Sequence, residues 1–243
     1  MLFRSQRHTG SAFPALPMQM VLVRAFPPGT GTPPQPAMVA AVRTAGTCAT
    51  TATGCAVGDL GPAGGIVVYD AGREEVWGRY LEVAPKACEQ SGRQFAARPS
   101  DILPIDAVER IAAKAIGTGA ANTARLIRWG KTRTAAFAAA TGSCGRYTDW
   151  FLPSKDELNE ACRVLSPSRK DRELTPAGGF DRGYYWTSSD YNGKTAWAQY
   201  FADCQQFDRM QNLTRNMSGA QRPFLVRPMR AFRTGQVVSG PST

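Results

Sequence analysis

Between Cys144 and Cys162 the chain reads CGRYTDWFLPSKDELNEAC, and no other stretch restricts the fold so closely. Ser154 followed three residues on by Glu157 is a capping box: the hydroxyl accepts the Glu157 amide and the carboxylate reaches back to the Ser154 amide. A helix must start there. Asp156 and Glu157 in its first turn suit the positive end of the helix dipole, and Leu158, Ala161, Cys162 and Leu165 fall on one face. The carboxylates thus have a structural task and read as a helix start rather than an acid–base pair. Trp150, Phe151 and Leu152 read as a buried strand end that feeds this helix.

The surrounding pattern is mixed. GIVVYD and GRYLEVAP are strands, joined as a hairpin by the intervening DAGREEVW. The glycines of AVGDLGPAGGIVVYDAG do not make a phosphate loop, because no G-K-[ST] follows and a strand stands where such a loop needs a helix. Ile105, Val108, Ile111 and Ala112 predict a short helix. Thr118 or Asn122 can cap a longer, main helix that carries Ala124, Leu126, Ile127 and later Phe137. After the capping-box helix, SPSRKDRELTPAGG is a polar, proline-punctuated surface loop. YYWTSSD, TAWAQYFAD, QQFDRM and FLVRPMRAF are short aromatic or β-branched strands, the last free to return beside the first. This order is an α+β fold. Its 243 residues, 43% hydrophobic, suffice for one sizeable core, and 24 glycines with 17 prolines favour a loop-rich fold over a helical bundle. No apolar run approaches the roughly 18–20 residues of a membrane span.

Residues 1–47 carry Arg4, Arg7, Arg24 and Arg43, no acid, and FPPGTGTPPQP, so residues 1–55 are expected to be a weakly ordered leader or linker. PALPMQMVLVRAF faintly resembles the apolar part of a signal peptide, but Arg24 and prolines interrupt it. Residues 56–233 form the expected domain and 234–243 a tail.

Net charge is +10, concentrated in two acid-free runs. One holds Arg110, Lys114, Arg125, Arg128, Lys131, Arg133 and Arg146; the other holds Arg209, Arg215, Arg222, Arg227, Arg230 and Arg233. An anionic partner is one expectation from this charge. Six cysteines, none in a C-x-x-C, argue against a zinc ribbon or a thioredoxin-like site. Cys48 and Cys55, flanking ATTATG, read as a short disulfide loop in an oxidising compartment, while the pairing of Cys88, Cys144, Cys162 and Cys204 stays open. The only histidine, His8, lies in the N-terminal segment. Histidine-based triads, H-E-x-x-H zinc sites and histidine general bases are therefore excluded unless that segment supplies them.

Seven blocks in order, VGDLGPAGGIVVYDAG, GRYLEVAP, AIGTGAANTARLI, YTDWFLPSKDELNEAC, GGFDRGYYWTSSDY, AWAQYF and VRPMRAF, resemble the Lcl C-terminal type domain of bacterial surface proteins. The resemblance covers about residues 56–233. It implies a C-type lectin-like fold: paired N- and C-terminal strands, two main helices flanking a small antiparallel sheet, and an irregular strand-and-loop region that displays the binding surface. A secreted or cell-surface location follows from the same resemblance.

Two activities associated with that broader fold can be checked by residue. Calcium-dependent lectins need an E-P-N or Q-P-D loop and a W-N-D strand to converge enough oxygens, and neither occurs. Formylglycine-generating oxidases need a reactive cysteine pair; Cys162 and Cys204 are the only candidates and their surroundings do not match. The expectation is a binding domain without catalytic residues, metal or cofactor. Its partner is a protein or an anionic polysaccharide, recognised through Asp190–Asn216. The candidate residues are Asp190, Tyr191, Asn192, Gln199, Tyr200, Gln206, Arg209, Asn212 and Arg215. Trp197, Tyr200 and Phe201 alternate in a strand and read as largely core, with Asn192, Gln199 and Gln206 at the surface. Some relatives with this domain are variable proteins of diversity-generating retroelements, diversified just before the final strand, where this segment lies. Nucleic-acid binding rests on charge alone and is disfavoured, because the longest basic run falls on predicted helices rather than on a sheet with aromatics.

Overall fold

The computed structural model describes residues 48, 54–95, 113–129, 134–142, 144–166, 177–191, 195–210 and 224–235. Within them, β1 (Ile66–Glu75) and β2 (Gly78–Val83) form a hairpin, followed by β3 (Gln90–Ser91). Then come α1 (Gly119–Trp129), α2 (Ala135–Thr141) and α3 (Lys155–Leu165), and after them β4 (Tyr184–Asp190), β5 (Ala196–Tyr200), β6 (Gln205–Met210), β7 (Leu225–Val226) and β8 (Met229–Phe232). The α+β class is as expected. The strands make two sheets, ordered β1-β2-β8 and β3-β7-β4-β5-β6, and β4 with β7 is the one parallel pair among the strands described, with an isolated parallel bridge between Gln94 and Thr134 outside them.

Several elements differ in detail from the sequence reading. The first strand runs on through DAGREE, leaving only Val76 and Trp77 to turn. The terminal strand lies beside β2 and not β1, with Tyr80 opposite Phe232 and Val83 opposite Met229. FLVRPMRAF breaks into β7 and β8 at Arg227 and Pro228, since proline has no amide to donate to a ladder. The main helix is two helices. Thr134 caps the second by accepting the Phe137 amide at 3.3 Å, and Asn122 is no cap but a buried donor to the Ala113 carbonyl at 2.7 Å. The helix expected over Ile105–Ala112, the leader up to residue 47, most of the loop after α3 and the end of the tail lie outside the described residues.

The capping box forms as read. Ser154 Oγ accepts the Glu157 amide at 3.3 Å and Glu157 Oε2 accepts the Ser154 amide at 2.7 Å. The apolar face of α3, Leu158, Ala161, Cys162 and Leu165, packs with Val68, Leu81, Val83 and Met229 of the three-stranded sheet, with Tyr185 of the five-stranded one and with Phe201 just after β5. Alternate residues of the larger sheet, Trp186, Ala196, Ala198, Phe224 and Val226, meet Ala135, Ala136 and Ala139 of α2 on its other face. The larger sheet is thus covered on both sides, with alanines letting α2 approach closely. Trp150, Phe151 and Leu152 are buried, and Phe151 exchanges backbone hydrogen bonds with Met229.

Three disulfides staple this frame: Cys48–Cys55, Cys88–Cys144 and Cys162–Cys204. Two buried arginines complete it. Arg227 meets Glu89 at 2.6 Å and donates to the carbonyls of Ala84, Gly178 and Gly179, while Tyr185 also donates to Glu89. Arg230 bridges Glu82 at 2.9 Å and Asp149 at 2.7 Å. Among the described residues no helix is long and apolar enough to cross a membrane.

Candidate functional site

The end of β4 carries Ser188 and Ser189, and both are used to bind neighbouring backbone. The Ser188 amide donates to the Pro153 carbonyl at 2.7 Å, and Ser189 Oγ accepts the Lys155 amide at 2.9 Å while donating to the Ala113 carbonyl at 2.7 Å. The first turn of α3 and the loop Ala113–Gly119 are thereby fixed against the sheet. Further bonds tighten that loop: the Asp156 amide donates to the Lys114 carbonyl at 3.0 Å and Ser154 Oγ to the Ala115 carbonyl at 2.8 Å. Glu157 Oε1 receives the amides of Gly117 at 2.8 Å and Gly119 at 3.2 Å.

Lys114 and Lys155 are delivered to one place by this clamp. Their ammonium nitrogens lie 5.4 Å and 5.0 Å from the centroid of the Trp197 ring. Tyr191 meets the same ring edge-on, with centroids 5.5 Å apart. Lys155 also pairs with Asp156 at 3.2 Å, and its backbone carbonyl accepts Gln206 Nε2 at 3.0 Å. The group is half-buried and polar. Trp197 Nε1 and Gln199 Oε1 are buried atoms that find no hydrogen-bond partner among the described residues.

Glu157 is fully buried, and burial pushes its carboxyl up to about 7 even though the amides of Ser154, Gly119 and Gly117 favour the ionised form. Among the described residues it forms no ion pair. Its hydrogen bonds are structural, holding the loop from which Lys114 projects.

The expected site residues divide. Tyr191 and Gln206 belong to the group around Trp197. Asp190 and Gln199 are buried, Gln199 completely, with its amide donating weakly to the Gln205 carbonyl at 3.4 Å. Gln199, expected at the surface, is therefore an interior residue. Trp197, expected to be largely core, is half-buried on the face of β5 opposite Ala196 and Ala198. Tyr200 stacks on Tyr184 at 4.7 Å, away from Trp197, and Phe201 is core as expected. Arg209 lies in β6, but its side chain, with Asn192, Asn212 and Arg215, is outside the described residues. Sequence reasoning missed Lys155, which looked like a helix start only, and Lys114, which was one member of a basic run. The small-large-small order Ala196-Trp197-Ala198 was the signal that could have placed Trp197 on the opposite face of the strand from the alanines.

The charge reading also changes. Arg227 and Arg230 are spent on internal carboxylates and carbonyls, so the C-terminal arginine run is not one free basic surface. No thiol is free: all six cysteines are paired, Cys162 with Cys204. Among the described residues, no cluster of three or more His, Cys, Asp or Glu side chains is placed to hold a metal ion. Comparison with protein-family models, with curated proteins and with solved structures finds no match.

Proposed function

We propose that this chain is a secreted or cell-surface binding domain of C-type lectin-like architecture that recognises an anionic glycan, without calcium, at the face of β5 and β6 around Trp197. The observation that carries this reading is the convergence of two lysine ammoniums, from different elements, on one half-buried tryptophan beside Tyr191. An aromatic ring offers a flat apolar face to a sugar ring, and ammonium groups make charge-assisted hydrogen bonds to sulfate or carboxylate. Both lysines are held through their backbones, so less freedom is lost on binding. Three disulfides support an oxidising location.

The experiment is binding of the full chain to immobilised heparin and to the same polymer stripped of sulfate, over a sodium chloride series, with and without EDTA. Binding to the sulfated form that weakens with salt and ignores EDTA is the expected result. Equal binding to both polymers, or loss with EDTA alone, overturns the reading. A protein ligand would instead give weak salt dependence and greater reliance on Tyr191.

A further inference from the structure

The tip of the β1–β2 hairpin holds a second feature, remote in sequence from Trp197. Strand pairing shifts register once between Val67 and Tyr69, reaches Asp70 opposite Tyr80 and resumes at Glu75 opposite Gly78, so Ala71–Glu74 stand opposite Arg79 alone. Such a bulge bends the strand and re-aims its side chains. Gly72, at φ 74°, makes the bend, and its amide is held by Asp70 Oδ1 at 2.7 Å. Asp70 is in turn fixed by Arg79 at 2.8 Å.

The bulge leaves an open cleft of about 600 Å³, lined by Tyr69, Arg73, Glu75, Trp77 and Ile116 with the backbone of Ala71 and Gly72. Its walls differ in kind. Tyr69 and Trp77, with ring centroids 6.3 Å apart, and Ile116 make an aromatic and apolar side. Arg73 and Glu75, paired at 2.6 Å, make a hydrogen-bonding side whose charges cancel. Trp77 is seated firmly: a side-chain carbon at Gly117 would come within 2.1 Å of its ring. Glycine there lets the indole lie flat against the loop Ala113–Gly119.

We infer that this cleft binds a neutral saccharide unit, with one sugar face on Trp77 and hydroxyls bridging Arg73 and Glu75. A pyranose has the matching asymmetry, with C–H groups on one face and hydroxyls at its rim that donate and accept together. Glu75 disfavours an anion and Arg73 a cation. The interrupted register argues against strand addition by a peptide, since a bulge turns the edge away from pairing. This site shares no side chain with the Trp197 group and stands or falls separately from the anionic-glycan reading.

The test is saturation-transfer NMR of the full chain with the methyl glycosides of glucose, galactose, mannose and N-acetylglucosamine and their β-1,4-linked disaccharides, each at millimolar concentration. Transfer to the ring protons of at least one sugar is expected. Trp77→Ala abolishes it, and Arg73→Ala or Glu75→Gln weakens binding by about tenfold, the scale of one lost hydrogen bond to a charged group. Should Trp77→Ala fail to fold, the other two variants decide, because Arg73 is 80% exposed and adds little to stability. Lys114→Ala with Lys155→Ala leaves this binding unchanged. No transfer to any sugar, transfer that survives Trp77→Ala in folded protein, or transfer indifferent to both Arg73→Ala and Glu75→Gln overturns the inference.

Discussion

Glu157 accepts the amide of Gly117 at 2.8 Å, across 40 positions of sequence, while its other oxygen caps its own helix through Ser154. One buried carboxylate thus ties a local motif to a distant loop, and its protonation state becomes a property of the whole domain. Its carboxyl is raised from 4.5 to about 7, so between those pH values the folded chain binds more proton than the unfolded chain. Stability is then greatest below the unfolded value and falls as pH rises through about 7, by at most about 3 kcal/mol. Urea unfolding at pH 5 and pH 8 should show this loss, and Glu157→Gln should flatten it. Equal pH dependence in both proteins refutes the assignment.

Ser154 does more than cap. Its hydroxyl also donates to the Ala115 carbonyl at 2.8 Å, and the residue is fully buried. Ser154→Ala should therefore cost about 2 kcal/mol rather than the ~1 kcal/mol of an ordinary N-cap, because the Ala115 carbonyl loses its donor as well. Denaturant melts measure this directly, and a loss no larger than a simple cap would show that the loop bond adds nothing.

Arg227 shows why net charge misled. Its guanidinium is buried, meets Glu89 at 2.6 Å and lies over the Phe180 ring at 4.1 Å. Arg227→Met should destabilise the fold by about 2–3 kcal/mol, below the ~3–5 kcal/mol of a fully stranded buried charge, because Glu89 keeps Lys86 and Tyr185 as partners. Calorimetry or urea melts check the magnitude. The salt dependence of glycan binding in the surviving folded protein should not change.

What the sequence made legible was local. The capping box, the hairpin and the C-terminal strands each declare themselves within about a dozen residues, through side-chain spacing that physics reads one turn or one pleat at a time. The break at Pro228 follows from the proline itself, whereas the pairing of β8 with β2 depends on which distant partner the strand meets, and no local pattern encodes that. The same limit governs the site. Lys155 reads correctly as the first residue of a helix, yet its place at Trp197 is decided by Ser189 and Gln206, 34 and 51 positions away. Gln199 reads as polar and hence exposed, but the sheet is covered on both faces, so strand alternation there does not sort inside from outside.

The three disulfides should differ in weight. By loop-closure entropy, Cys162–Cys204 and Cys88–Cys144, with separations of 42 and 56 residues, contribute about 4 kcal/mol each, and Cys48–Cys55, with a separation of 7, about 2.5 kcal/mol. Peptide mapping without reduction should recover these three pairs. Replacing Cys162 and Cys204 together by alanine should lower stability by about 1.5 kcal/mol more than replacing Cys48 and Cys55, and should do so without removing any turnover. A catalytic loss on a formylglycine-forming substrate would instead favour the oxidase alternative.

The last prediction separates the two lysines at Trp197 from general basicity. Lys114 comes from a loop and Lys155 from a helix, yet both approach one ring, and the proposed site has a single sulfate or carboxylate shared between them. Replacing either lysine by alanine should weaken heparin binding by about tenfold, the scale of one charge-assisted hydrogen bond. Removing both should cost less than the product of the single effects, because neighbours that share one ligand group are coupled. Trp197→Ala should lower affinity for sulfated and desulfated polymer alike, since the ring contributes area rather than charge. Arg128→Ala, an exposed charge at the end of α1, serves as the control and should change affinity little beyond the screened long-range term. If Arg128→Ala weakens binding as much as Lys155→Ala, the partner is held by diffuse charge and not by this site. Strict additivity of the two lysines would likewise separate them into independent contacts and remove the argument for a shared anion.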